Sequence, residues 1–181
     1  MSFQDFVGHF SRLEICNLTP DTLSSDQVGR WGHAQFQGTW RVGSTAGGCR
    51  NHPATFCSNP QFVVELLEED EEGEEGCTVL LGLLQRDGRR DRRFGRELNT
   101  IGFAIYKFRG RKDVRLGVDI LLRQAAVARS NTFTNLREVC DRFTLPPGRY
   151  AVIPSTFEPH RAGKFILRVF TEKEASTSTS A

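Results

Sequence analysis

The sequence predicts a mainly β protein, an antiparallel β-sandwich with a short N-terminal helix. Three observations carry this. Short apolar runs recur between turn signals, the 14 Phe accompany few Ala-Leu-rich stretches, and residues 101–106 alternate with a period of two. A length of 181 residues with 38% hydrophobic content suits one domain with a substantial core and short extensions.

Taken in order, Phe3, Phe6, Val7, Phe10 and Leu13 fall at helical spacing. No cap is evident before that stripe, so the chain reads as a piece whose first helix belongs to something larger. Thr19-Pro20-Asp21 ends the segment, residues 21–30 read as a connector, and strands are expected from Trp40 onward. Phe62–Leu67 and Cys77–Leu84 read as strands, the second apolar enough to be buried on both faces. Ile101, Phe103 and Ile105 mark another. Leu136–Leu145 follows, stopped by Pro146-Pro147-Gly148, then Tyr150–Ile153 and Phe165–Phe170 around the turn Pro154–Gly163. Residues 119–129 are ambiguous between strand and helix. Residues 175–181 read as a low-complexity linker or tail. The expected core is led by Val79, Leu81, Leu83, Phe103, Ile105, Leu136, Phe165 and Leu167.

A near-neutral total hides a strong charge asymmetry. Residues 1–76 hold 4 basic and 12 acidic groups, a net of −8, while residues 77–181 hold 20 basic and 10 acidic groups, a net of +10. Eight acids fall between Glu65 and Glu75, and six arginines between Arg86 and Arg96. The apolar strand between them spans roughly 26 Å, so the clusters cannot neutralise each other within one hairpin. Like charges repel when concentrated, so each run faces a cation, an opposite surface or water. Arginine makes up 20 of the 24 basic residues, and its planar fork suits carboxylates and phosphates.

Several function classes are disfavoured. Cys49 lies three residues from His52, but the glycine-rich loop between Gly38 and Pro53 offers no third group to orient a Cys–His pair. Cys49, His52 and Cys57 lack paired zinc spacing, so no transition-metal site is expected. Read as an EF-hand with Gly73 at the glycine position, the acidic run puts Val79 where a bidentate Glu is needed, which leaves only a loose, weak calcium site. Only Phe94 interrupts the arginines, so base stacking is not provided for and no nucleic-acid partner is expected. Five cysteines without a C-x-x-C pair and without an apolar leader predict free thiols in a reducing, cytoplasmic compartment.

The stretch Gly38–Phe62, with Gly-Thr-Trp-Arg, Gly-Ser-Thr-Ala-Gly-Gly-Cys-Arg-Asn and Asn59-Pro60-Gln61-Phe62, resembles the large subunit of calpains, the calcium-dependent cysteine proteases. Further blocks agree in family order: Met1-Ser2-Phe3, Leu13-Glu14-Ile15-Cys16-Asn17-Leu18, Thr100-Ile101-Gly102-Phe103, Asn135-Leu136-Arg137-Glu138-Val139 and Pro154-Ser155-Thr156-Phe157-Glu158-Pro159. The resemblance implies that residues 1–20 are the tail of the second protease subdomain, 21–37 a connector and 38–171 the third domain, with 172–181 a linker or tail. That domain is an eight-stranded antiparallel sandwich like the lipid-binding sandwich of protein kinase C. The family's catalytic Cys, His and Asn lie upstream of the matched segment and its penta-EF-hand domain downstream, so the resemblance implies no protease activity in this segment.

It implies instead a regulatory domain that couples calcium, and phospholipid, to the protease core. Glu68, Glu69, Asp70, Glu71, Glu72, Glu74 and Glu75 match its acidic loop, and Arg86, Arg89, Arg90, Arg92, Arg93 and Arg96 its basic stretch. The implied partners are the protease core and penta-EF-hand domain of the same parent chain and an anionic phospholipid surface, which makes the protein membrane-peripheral with calcium. A passive spacer between those two domains is the alternative. The family carries Trp at the position of Cys57, which predicts looser packing beside Asn59-Pro60. Residues 107–123 also depart from the family pattern, at the edge of that sheet.

Overall fold

The computed structural model describes residues 1–11, 31–70, 76–108, 115–173 and 175–179. Helix α1 (Phe3–His9) is opened by Ser2, whose Oγ accepts from the Asp5 amide at 3.1 Å while the Ser2 amide donates to Asp5 Oδ2 at 3.2 Å. This reciprocal capping box corrects the expectation of an uncapped start. No residue of α1 is buried, and Phe3 is 81% exposed. Leu13 lies outside the described residues.

Nine strands follow among the described residues, with three short helices between them. They are β1 (Gly32–Trp40), α2 (Pro53–Phe56), β2 (Phe62–Leu66), β3 (Cys77–Gln85), α3 (Gly88–Arg93), β4 (Ile101–Lys107) and α4 (Val118–Arg123). After these come β5 (Ala128–Arg129), β6 (Glu138–Leu145), β7 (Gly148–Thr156), β8 (Gly163–Thr171) and β9 (Ala175–Thr179). One sheet runs β1-β8-β3-β6 and the other β5-β4-β7-β2-β9, with every pairing antiparallel. The mainly β, sandwich-type reading therefore stands.

The inner faces meet in one core. Val79, Leu81 and Leu83 of β3, Phe165, Leu167 and Val169 of β8, and Phe103 and Ile105 of β4 are its centre. Phe165 packs 4.4 Å from Trp40 and edge-on to Phe62 at 6.0 Å, which ties the sheets together with aromatic area. A second cluster explains why β7 is buried from Tyr150 to Thr156. Its Ala151 and Ile153, with Val63 and Tyr106, point to the far side of their sheet, where Phe56 of α2 and Leu121 of α4 cover them.

Several expectations need correction. Strand β1 starts at Gly32, inside the expected connector; Ala34 and Phe36 pack on the core while His33, Gln35 and Gln37 alternate with them, a period of two that begins before Trp40. Ile120, Leu121 and Leu122 are helical, and the strand is confined to Ala128–Arg129. The Ser/Thr tail is not a bare linker, since β9 pairs with the open edge of β2 from Leu66↔Ala175 to Phe62↔Thr179. Its alternating β-branched residues suit an edge strand. Leu136 is only half-buried and lies outside the core; its carbonyl accepts from Gln85 Nε2 at 2.8 Å instead.

Because α1 contributes nothing buried, a chain starting at Trp31 is expected to keep β-type circular dichroism and one cooperative melt. A broad melt would mean that the core extends into the residues removed.

Candidate functional site

The glycine-rich loop before α2 is a structural latch. Asn59 is fully buried; its Oδ1 accepts from the Gly47 amide at 3.1 Å and its Nδ2 donates to the carbonyls of Gly48 and Phe56 at 2.8 Å each. A Cβ at Gly47 would lie 2.1 Å from the Thr55 carbonyl oxygen, so only glycine allows this approach. Arg115 Nη2 donates to the carbonyls of Cys57, Ser58 and Asn59 at 3.1, 2.9 and 2.7 Å. The half-buried Cys57 therefore sits in a segment whose carbonyls are held by Arg115. Cys49 is buried, its amide donates to the Phe157 carbonyl, and the His52 ring lies 3.5 Å from Glu158 Oε2. That arrangement gives the imidazole a carboxylate partner rather than a thiol.

The two charge runs sit at opposite ends of β3, nine residues or about 30 Å apart. At the acidic end, β2 runs out at Leu66 and the chain returns at Gly76. Glu65 is neutralised by Arg149 across the β2–β7 pair at 3.1 Å. The Asp70 amide donates to the Gly76 carbonyl at 3.0 Å, and Asp70 Oδ2 accepts from the Thr78 amide. Asp70 Oδ1 is buried without a hydrogen-bond partner among the described residues. Glu68 and Glu69 are exposed. The Cys77 thiol donates to the Glu68 carbonyl at 3.0 Å, and burial, then Asp70 and Glu69, push its pKa up. Glu71, Glu72, Glu74 and Glu75 lie outside the described residues. Among the described residues no three His, Cys, Asp or Glu side chains gather closely enough to hold a metal ion.

At the basic end, Gln85 closes β3 and anchors its surroundings. Its Nε2 donates to the Asn99 and Leu136 carbonyls at 2.6 and 2.8 Å, and its Oε1 accepts from the Asn99 amide at 3.0 Å. Asp87, at φ 64°, then turns the chain into α3. The sequence reading gave this segment no helix. Arg86 Nη1 donates to Gln37 Oε1 at 2.8 Å, and Arg96 lies 3.6 Å from Asp91. Arg90 and Arg93, three apart on α3, share one side and line a groove of about 610 Å³ with Arg86 and Arg137. Arg92 and Arg96 are outside that lining, and Phe94 between them is 73% exposed.

Arg137 was not foreseen. It is far from the arginine run in sequence, and only the β3–β6 register, with Leu84 opposite Glu138, brings it there. The unpaired Asp70 oxygen was likewise beyond reach, because it depends on which of eight neighbouring acids folds back onto Thr78.

Residues 36–170 match the family model described as calpain large subunit, domain III. The chain is 56% identical over 185 residues to the calpain-1 catalytic subunit of Gallus gallus, covering 98% of this chain and 26% of that protein. It is 56% identical to the calpain-2 catalytic subunit of Oryctolagus cuniculus, covering 97% of this chain and 43% of that protein. The calpain-2 catalytic subunit of Homo sapiens is 54% identical, with 97% of this chain and 26% of that protein covered. The chain thus spans between about a quarter and less than half of the length of these relatives.

Proposed function

Because the chain belongs to the calpain large-subunit domain III family, we propose that it is a regulatory sandwich of a calcium-dependent cysteine protease, acting in the cytoplasm on a protease core and penta-EF-hand domain of one parent chain. The observation that carries this reading is the separation of an acidic and a basic end on one rigid β3.

The acidic end is the calcium-responsive part. Calcium seeks several oxygens in irregular geometry, and Asp70 offers a buried oxygen with no hydrogen-bond partner among the described residues. Glu68 and Glu69, both exposed, precede it in the chain, and Glu71, Glu72, Glu74 and Glu75 extend the same acidic run in sequence. Without the cation these carboxylates would brace the domain against basic residues of a protease core. A cation competing for them shifts the population of domain orientations by no more than its differential affinity, on the order of 1–3 kcal/mol. Single exposed pairs are too weak for this, so the cluster must act as a unit.

The arginine end is the anion-facing part. Arg92 and Arg96 are exposed on either side of the exposed Phe94 in the chain, a pair of cations around an aromatic, which suits the interface of an anionic phospholipid surface.

Calorimetric titration of calcium into the protein tests the acidic assignment. Weak binding is expected, in the range of low-affinity calcium modules, about 10⁻⁴–10⁻³ M. The variant E69Q/D70N should lose most of it. Unchanged calcium binding in that variant would move the site elsewhere, and no binding to the unaltered protein would leave a passive spacer.

A further inference from the structure

The outward arginines do not account for the groove behind them. Arg86 at the end of β3, Arg90 and Arg93 on α3, and Arg137 before β6 converge on it from three elements of the fold. Its remaining wall is apolar: Leu84 and Ile166, from neighbouring strands β3 and β8, stand directly opposite each other in register. Asp87 and Gln85 complete the polar lining. Among the described residues no carboxylate lies in ion-pair contact with Arg90 or Arg93, while Arg137 acts electrostatically on its neighbour Glu138 and Arg96, outside the groove, is held by Asp91.

A flat bilayer can reach the outward arginines, but a concave site with an aliphatic floor calls for a ligand that enters it. Guanidinium forks pair with carboxylates two oxygens at a time, and the Leu84–Ile166 floor gains from desolvating an apolar side chain. A free inorganic anion would use the first and waste the second.

We propose that this groove is a docking site for an extended acidic peptide segment that places an aliphatic side chain on Leu84 and Ile166 while its carboxylates meet Arg86, Arg90, Arg93 and Arg137. This goes beyond the membrane reading of the arginine end, since it uses the arginines that line the groove rather than Arg92 and Arg96. Four contributing arginines make the binding strongly salt-dependent and fast, because the field steers an acidic chain towards the groove.

Fluorescence anisotropy with the whole protein in calcium-free buffer tests it. The probe is a short fluorescein-labelled glutamate peptide carrying two adjacent leucines, and the control is an all-glutamate peptide of equal charge. The leucine peptide should bind roughly tenfold tighter than the control, as expected when one aliphatic side chain is buried. Arg137→Gln should weaken both peptides, and Ile166→Thr only the leucine peptide. Equal affinity of the two peptides would overturn the proposal whatever the variants do. Unaltered binding in Arg137→Gln, with the probe displaced by phosphatidylserine vesicles, would also overturn it and assign these arginines to a membrane. The calcium titration reads Asp70 and the vesicle assay Arg92 and Arg96, so either reading can fail while the other stands.

Discussion

Phe165→Ala is expected to lower the unfolding free energy by about 3–5 kcal/mol, the range for removing a fully buried aromatic whose site cannot collapse. The ring is completely buried between the sheets, 4.4 Å from Trp40 and edge-on to Phe62. It also lies over Gly38, its direct partner across the β1–β8 pair. A Cβ at Gly38 would sit 2.1 Å from Phe165 Cζ, so Gly38→Ala forces the ring aside and should cost about 1–3 kcal/mol by overpacking. The pair then has a distinctive coupling. With the ring removed, the added methyl enters vacated space, so Gly38→Ala should be nearly neutral or stabilising in the Phe165→Ala background. Urea unfolding of the four proteins in this cycle measures it. Equal costs for Gly38→Ala in both backgrounds would mean that the ring does not stand over the glycine.

That glycine illustrates how legibility was divided. Strands with a clean period, such as Ile101–Lys107, and strands apolar on both faces, such as Cys77–Gln85, were readable because burial imposes the pattern residue by residue. The edges were not. Strand β9 carries only one residue packed on the core, Ala175, and is held by backbone pairing to β2, which a sequence of serines and threonines does not announce. Helix α3 was hidden because its six residues, Gly-Arg-Arg-Asp-Arg-Arg, present no apolar stripe. The Ser2–Asp5 capping box, Ser-Phe-Gln-Asp, carries only a weak sequence signal because Asp stands where Glu or Gln is usual. Of the candidate site, the two charged ends are legible in the sequence, since β3 is one uninterrupted strand. The division of the arginines between an outward surface and a groove needed the handedness of α3 and the register of β6.

Charge removal at the arginine end should have the largest functional effect. Replacing Arg92 and Arg96 by Gln is expected to weaken association with phosphatidylserine vesicles by roughly thirtyfold, at about 1 kcal/mol for each arginine near an anionic surface. Phe94→Ser should weaken it further by withdrawing the exposed ring from the interface. The distance along β3 decides how calcium enters. At physiological ionic strength the screening length is about 8 Å, against about 30 Å between the ends, so a cation at Asp70 cannot unmask the arginines through solvent. Two components of vesicle binding should therefore separate. One is calcium-independent, falls with added salt and is lost with Arg92 and Arg96. The other needs calcium, arises where the cation bridges the acidic end to lipid headgroups, and is lost in E69Q/D70N. Only near 0.01 M salt, where the screening length grows to about 30 Å, should calcium raise the arginine component as well. Sedimentation with vesicles at the two salt concentrations, with and without calcium, resolves these cases. A calcium-dependent component at physiological salt that survives E69Q/D70N but disappears with Arg92 and Arg96 would sink the argument, because the cation would then be acting at the basic end.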